Sequence, residues 1–328
     1  MSVQADHFGP VVPASAAGLS LPRARSLVVA VLAAVLLVLC VAPFVLVFAV
    51  SFGEKIEGAG WRFGFDLAHY QRFFVGAMWP ETVLFIYVAR LFYALLFAVA
   101  ASVLAMLTAF PFVYLMTRQS RRAQAVWLVV ILSSLSLSEV FVVMGWDILL
   151  SNGSGLPMVL REIGVTAWLK ETGWLAVLRD WGMATPRDVR FKTSDLATIL
   201  TMAYLVWPFA VILLYPALSR LDPALVEAAR TMGARPFTVI RTVVLPAVRV
   251  PLIGSTVLLF VYLLGAYVVV TVFTDPAHQT ISVTINEAAR GSQLNAPFAA
   301  AQSVMLLVTA ALLLAANQWI MRRSGAAR

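Results

Sequence analysis

Three ionisable residues, Arg90, Glu139 and Asp147, lie within or near long apolar segments, where a charge needs a partner or water. If these segments are straight helices rising about 1.5 Å per residue, Arg90 and Asp147 lie about 9 Å and about 5 Å from the same end. An ion pair between them is therefore expected. Glu139 lies about 17 Å deep with no basic residue at its depth. It could line a water-filled path and attract a cation, or hydrogen-bond nearby Ser and Thr residues or another subunit. All three are candidates for lining a polar path.

No catalytic or metal-binding constellation can be assembled from the remaining residues. The three histidines, His7, His69 and His278, are too scattered for a zinc site. The sequence has no Gly-Lys dipeptide, so a Gly-x-x-x-x-Gly-Lys-Ser/Thr phosphate loop is absent. We therefore expect a chain that is not an enzyme, holds no metal or cofactor and does not itself hydrolyse ATP through such a loop.

The composition indicates a membrane-embedded bundle. Of the 328 residues, 61% are hydrophobic and only 12% are charged, whereas soluble domains have roughly 45–50% and about 25%. The net charge of +8 could suggest a nucleic-acid partner, but aromatic residues are not interleaved with Lys and Arg. Basic loops facing anionic lipid headgroups explain that charge better, so we expect contact with lipid and none with nucleic acid.

Hydropathy divides the chain into six apolar segments long enough to cross a bilayer. The predicted spans are residues 27–50, 84–116, 123–150, 196–218, 250–273 and 297–321. The first exceeds the ~7–15 residue core of a signal peptide and is interpreted as an uncleaved anchor. The sequence therefore predicts an all-α integral membrane protein with tails at 1–26 and 322–328 and a five-span core over 84–321.

The distribution of Arg and Lys predicts the orientation. The two tails and segments 117–122 and 219–249 together hold 13 of these residues, close to the span ends, whereas segments 51–82, 151–195 and 274–296 hold 10. By the positive-inside rule, both termini are then cytoplasmic and segment 151–194 lies outside. Three tryptophans in that outer loop, Trp168, Trp174 and Trp181, favour short helical pieces at the membrane interface.

The cytoplasmic loop at 219–249 predicts a surface helix over 222–233. Asp222 is a suitable N-cap, and Pro223 follows at the first helical position. Gly233 supplies the left-handed residue that ends many helices. A second helical stretch is predicted from Phe237 to Val244, closed by Leu245-Pro246.

The predicted helix has an apolar face with small residues in its middle. Leu225, Ala228, Ala229 and Met232 recur at i, i+3, i+4 and i+7. This pattern fits either an amphipathic interfacial helix without a partner or a docking helix, and composition alone does not choose between them.

The same loop resembles a known family. Glu227-Ala228-Ala229, followed by Gly233, Ile240 and Leu245-Pro246, is similar to the EAA-type loop of permease subunits in binding-protein-dependent type I ABC importers. Trp207-Pro208-Phe209 and the run from Asn295 to Ala301 resemble the spermidine/putrescine-type branch. Segment 274–276, Thr-Asp-Pro, departs from the Gly-Gly pair frequent in that branch, and the 151–194 loop is longer than expected.

The resemblance implies a six-span permease core and a bacterial inner-membrane location. It implies a cytoplasmic ABC ATPase dimer that holds ATP and Mg²⁺, a second identical or related permease, and an extracytoplasmic solute-binding protein. It also implies that 222–233 is a coupling helix, with Glu227 as its polar anchor and Gly233 fixing the turn. The residues predicted to contact the ATPase are Asp222, Leu225, Glu227, Ala228, Ala229, Met232 and Gly233.

A secondary transporter working without an ATPase is the alternative from another class. It predicts internal inverted repeats with discontinuous helices in matching halves. No such repeat is visible, and the alternative leaves the 219–249 loop unexplained. A polyamine or another small organic solute is the expected cargo, from the branch resemblance and from the acidic Glu139 and Asp147.

Overall fold

A computed structural model describes residues 23–56, 60–186, 188–291 and 294–326. Within these residues, five helices are long and apolar enough to cross a membrane, and six spans result if one bent helix pair counts as a single span. The all-α membrane fold predicted from hydropathy is confirmed. Most of the tail predicted at 1–26, and the last two residues of the tail at 322–328, lie outside the described residues.

The membrane-spanning segments follow the predicted spans closely, except in the third and the fifth. The helices involved are α1 Arg23–Val50, α3 Ile86–Thr117, α4 Arg121–Ser134, α5 Glu139–Leu150, α9 Asp195–Ser219, α11 Pro236–Val239, a π-helical turn Ile240–Val244, α12 Leu245–Leu264, α13 Val268–Phe273 and α15 Ala296–Ala326. The described residues up to Val47 form one unit, and those from Phe48 onward form another. Within the first unit, α1 carries no charged residue after Arg25, as expected of a helix surrounded by lipid.

The core of the second unit is built on α3 and α9, which pack along each other. The buried face of α3 carries a stripe of alanines at helical spacing, namely Ala94, Ala98, Ala101, Ala105 and Ala109. Small side chains let two helix backbones approach closely, which is how helices associate where lipid removes the hydrophobic drive between them. The large side chains on the outer surfaces of these helices are exposed, as expected of lipid-facing positions.

The third span is not the straight helix predicted over 123–150. Helices α4 and α5 meet at 90° across the break at 135–138. The hydroxyls of Ser133 and Ser134 donate back to the carbonyl oxygens of Val130 and Ile131, each at 2.7 Å. Such back-bonding competes with the helix ladder and favours an end or a bend.

The fifth span also departs from the prediction of 250–273. Its helix ends at Leu264, and α13 follows after a three-residue break. The Ala266 carbonyl freed by the break accepts a hydrogen bond of 2.6 Å from Ser282 Oγ. A non-helical backbone at membrane depth is tolerated where such side chains satisfy it.

The connections between the spans contain short helices and strands. They contain strands β1 Glu54–Ile56 and β2 Gly60–Arg62, which pair antiparallel, and helices α2 Ala68–Val75, α6 Leu156–Glu162, α7 Val165–Glu171, α8 Trp174–Asp180, α10 Pro223–Thr231 and α14 Ile281–Arg290. The helical pieces predicted in 151–194 are confirmed, and Trp168, Trp174 and Trp181 are exposed. The region 274–296, which joins the last two predicted spans, contains the amphipathic helix α14.

Candidate functional site

Helix α10 forms where the caps predicted it. The Asp222 carboxylate accepts from the Ala224 amide at 2.9 Å, and Pro223 occupies the first turn. Gly233 has φ +79°, so it occupies the left-handed region that favours glycine. The helix and both of its predicted ends are therefore confirmed.

Two backbone hydrogen bonds close the C-terminus of α10. The Gly233 amide donates to the Arg230 carbonyl at 2.9 Å, and the Ala234 amide donates to the Ala229 carbonyl at 3.1 Å. Together these two bonds form the Schellman motif, which requires a left-handed backbone conformation at Gly233. The turn fixes the direction in which the chain leaves α10.

One side of α10 is anchored to the rest of the protein. Val226 and Ala229 are buried and belong to the main core cluster together with Val239 and Val244. The helix contacts α11 and the π-helical turn. The expectation that Ala229 faces a partner is wrong, because this residue faces the protein's own core. Val226, three residues earlier, was missed although the i, i+3 spacing pointed to it.

The opposite side of α10 is open and amphipathic. Leu225 is 52% exposed and Met232 is 82% exposed. Glu227 and Ala228, which lie between them in sequence, are also exposed. Over the described residues, no basic side chain forms an ion pair with Glu227. Exposed apolar side chains together with an exposed carboxylate give α10 a surface that a partner can cover.

The segment after α10 runs directly into the membrane. Residues from Pro236 to Leu264 form one continuous helical stretch of 29 residues. The expectation that Leu245-Pro246 closes the second helix is wrong. The Leu245 amide donates to Ile240, five residues back. This wider turn accommodates Pro246, which has no amide to donate. Helix α10 is therefore attached through one fixed turn to a helix that continues into the membrane.

A buried glutamine supports the same end of the bundle. Gln124 is 6% exposed, and its Nε2 donates to the carbonyls of Thr117 and Gln119 at 3.2 and 2.8 Å. Its Oε1 accepts from the Tyr215 hydroxyl at 2.9 Å. These bonds tie the turn between α3 and α4 to α9, and the sequence alone gave no sign of this contact.

A second candidate site lies at the bend between α4 and α5. A pocket of about 140 Å³ is lined by the residues Ser134, Leu135, Leu137, Glu139, Val142, Tyr204, Leu205, Pro208, Phe209 and Tyr262. Glu139 is the one carboxylate among them and lies in the first turn of α5. Tyr262 and Phe209 pack with ring centroids 5.7 Å apart. A carboxylate beside aromatic faces is the combination that attracts organic cations.

The predicted ion pair between Arg90 and Asp147 is wrong. Asp147 instead pairs with Lys192 Nζ at 2.6 Å. The bend places α5 against α9 and α13, whereas the first turns of α3 pack against α2 and α14. Arg90 therefore faces a different cavity, together with Arg72.

The described histidines also serve local structure. His69 contacts the Gly53 carbonyl through Nε2 at 3.1 Å, and His278 Nδ1 lies 2.8 Å from the Asp195 carboxylate. Among the residues that the structure describes, no three His, Cys, Asp or Glu side chains cluster in a way that could hold a metal ion. His7 lies outside those residues.

With this geometry established, comparison with known proteins identifies the family. The profile described as "Binding-protein-dependent transport system inner membrane component" matches residues 87–324. The chain belongs to this family. It is an ABC transporter permease, and the resemblance inferred from the EAA-type loop is confirmed.

Curated relatives of this permease are transport permeases. The Escherichia coli (strain K12) inner membrane ABC transporter permease protein YdcU is 27% identical over 66% of this chain and 67% of its own. The Haemophilus influenzae spermidine/putrescine transport system permease protein PotB is 23% identical over 88% of this chain and 91% of its own. Neither name describes an enzyme.

Solved structures support the fold. A bacterial ABC transporter involved in the import of the acidic polysaccharide alginate superposes with a TM-score of 0.65 at 16% identity, over 92% of this chain and 96% of that one. The alginate transporter solved with an alginate pentasaccharide-bound periplasmic protein superposes with a TM-score of 0.60 at 18% identity. This match covers 92% of this chain and 95% of that one. At these identities the likeness concerns the fold and not the cargo.

Proposed function

We propose that this permease forms half of the translocation path of an ATP-driven importer and is driven by a cytoplasmic ATPase that binds α10. The observation that carries the proposal is the two-sided character of α10. Val226 and Ala229 fix the helix to the core, while Leu225, Glu227 and Met232 remain exposed. A helix used only to cover the bundle would leave no such apolar face open to water.

The connection of α10 to the membrane helix that follows it allows movement of α10 to be transmitted to the spans. The Schellman turn fixes α10 relative to the helical stretch Pro236–Leu264, which continues into the membrane. Closure of two ATPase subunits around ATP and Mg²⁺ would draw two such helices together and reorient the spans. The scheme requires a second permease, identical or related, and an extracytoplasmic binding protein that delivers cargo. ATP and Mg²⁺ belong to the ATPase, and this chain supplies no ligand for them.

The cargo we propose is a small organic cation of the polyamine class. Glu139 and the rings of Tyr204, Phe209 and Tyr262 line one pocket, and several curated relatives are named as spermidine/putrescine permeases. Tyr204 and Tyr262 are about half exposed, so a second permease can complete the site. Asp147 is neutralised by Lys192 and Arg90 lies in another cavity, so neither is retained on this path.

Uptake into proteoliposomes tests the proposal. The permease is reconstituted with its ATPase, partner permease and binding protein, and radiolabelled putrescine uptake is measured with ATP or with a non-hydrolysable analogue. We expect uptake only with ATP and with all components. Uptake by the permease alone, driven by an ion gradient, would instead support a secondary transporter.

The proposed orientation places both termini in the cytoplasm of a bacterial inner membrane, with α10 inside and α6–α8 outside. It rests on the clustering of Arg and Lys next to the span ends. We expect a reporter fused after Arg235 to be cytoplasmic and one fused after Gly173 to be extracytoplasmic. Finding both reporters on one side would contradict this topology and the ATPase contact with it.

A further inference from the structure

A polar cavity separate from the two sites above lies where α2, the start of α3, α14 and the start of α15 meet. It has a volume of about 390 Å³. The side chains that matter for its chemistry are Arg72, Tyr87, Arg90, Thr284, Glu287 and Gln302. Under the proposed orientation it lies on the extracytoplasmic side, away from the ATPase.

The charges in this cavity are unbalanced. Arg72 and Arg90 supply two guanidinium groups, and Glu287 is the one carboxylate in the lining. Across the described part of the chain, neither arginine forms an ion pair with a carboxylate. The cavity therefore has a net positive charge, in contrast to the acidic pocket around Glu139.

Two buried hydrogen-bond donors in the cavity also lack acceptors. Gln302 is completely buried, and its Nε2 has no partner, although its Oε1 accepts from Thr284 Oγ1 at 2.6 Å. The Nε of Arg72 is also buried without a partner. Buried donors are almost always satisfied in native proteins, so each one left open needs an explanation.

The donors are held in place by packing. The Arg72 guanidinium lies 4.5 Å from the centroid of the Phe298 ring. The same ring packs edge-on against Tyr87 with centroids 5.0 Å apart. A guanidinium stacked on an aromatic face keeps its in-plane donors free for a planar or tetrahedral oxyanion.

We propose that this cavity binds an anionic group, a carboxylate or a phosphate, held by Arg72, Arg90 and Gln302. Two kinds of ligand could supply this anionic group: a free small anion, or a phospholipid whose headgroup contains a phosphate. The site is independent of the cargo pocket, since a polyamine would be repelled by the two arginines.

Binding to the purified full-length permease tests the proposal. One arm titrates inorganic phosphate in detergent at constant ionic strength and records the shift in thermal unfolding temperature. The other arm measures retention of phosphatidylglycerol by native mass spectrometry, with the phosphate-free lipid digalactosyl-diacylglycerol as its control. A phosphate-dependent shift identifies a free anion, and selective retention of phosphatidylglycerol identifies a headgroup.

The variants separate this site from general charge effects. Arg72→Gln and Arg90→Gln should each weaken the observed binding about tenfold or more, as expected for loss of one charge-assisted bond. Glu287→Gln should strengthen it. The matched control is Arg290→Gln, which removes an exposed arginine of α14 that does not line the cavity. If Arg72→Gln does not fold, Arg90→Gln and Gln302→Met carry the test.

The sign of the Glu287 effect is decisive. Stronger binding in Glu287→Gln together with weaker binding in Arg90→Gln supports an anion site. Binding of neither probe to the wild type, equal effects of Arg90→Gln and Arg290→Gln, or weaker binding in Glu287→Gln would overturn it.

Discussion

Glu227→Ala is expected to reduce ATPase association about a hundredfold while leaving membrane insertion intact. The Glu227 carboxylate of α10 is exposed and has no ion-pair partner in the described residues. Truncating a buried interface anchor typically costs about 2–4 kcal/mol, and about 2.8 kcal/mol corresponds to a hundredfold in affinity. The measurement is co-purification of the ATPase with the permease, followed by ATP-dependent uptake in proteoliposomes.

Matched variants isolate the contribution of that carboxylate. Glu171→Ala removes another exposed glutamate, from α7 on the proposed outer side, and should retain full ATPase binding. Glu227→Gln keeps the size and loses the charge, so it shows whether the ATPase recognises a charge or a hydrogen bond. Full binding and full uptake in Glu227→Ala would reduce α10 to a surface helix.

The turn after α10 offers an independent test of the same coupling. Gly233 has φ +79° with open space where a side chain would begin. A β-branched residue is therefore resisted by backbone conformation and not by a clash. Gly233→Val should uncouple transport, whereas Gly233→Asn, which tolerates the left-handed region better, should retain most of it. Equal activity of the two variants would show that the turn geometry is irrelevant to coupling.

Glu139→Gln is expected to lower putrescine uptake by about 10- to 100-fold in an assembled complex. A hydrogen bond to a charged group contributes about 1.5–3 kcal/mol, and each 1.4 kcal/mol is about tenfold. The pocket at the bend contains no other carboxylate to replace it. The measurement is the concentration dependence of ATP-driven uptake, with the amount of assembled complex determined in parallel.

Two comparisons distinguish a cargo contact from a structural role for Glu139. Tyr262→Phe preserves the ring and should retain most uptake, whereas Tyr262→Ala removes the aromatic face and should reduce it. ATPase activity without cargo should not change in Glu139→Gln. Unchanged uptake in that variant at normal expression would assign Glu139 to hydrogen bonding within the bundle.

Local signals were sufficient for the elements that depend on neighbours in sequence. The caps of α10 are an example, because Asp222 bonds to an amide two residues ahead and Gly233 meets a backbone requirement of its own position. The span positions likewise follow from runs of apolar residues, since a helix in lipid needs about 20 of them whatever its neighbours. The EAA-type pattern around Glu227 indicated the family to which the chain belongs.

The side-chain partners depended on how the helices pack. Straight helices would bring Arg90 toward Asp147, but the bend after Ser134 turns α5 toward Lys192 and leaves Arg90 beside Arg72. Neither the periodicity nor the hydropathy of the sequence gives the angle at which two helices meet at a break. The burial of Ala229 likewise depends on tertiary packing, because α11 lies beside α10.

The sequence by itself therefore determined the membrane class, the positions of four of the six spans, the caps of α10 and the family. Only the tertiary structure decided which charges meet, which side of α10 stays open, and that Arg72 and Arg90 share a cavity with Gln302. The physical reason is that caps and hydropathy act over a few residues along the chain. Ion pairs and cavities join residues far apart in sequence, and their partners are fixed by helix crossings and bends.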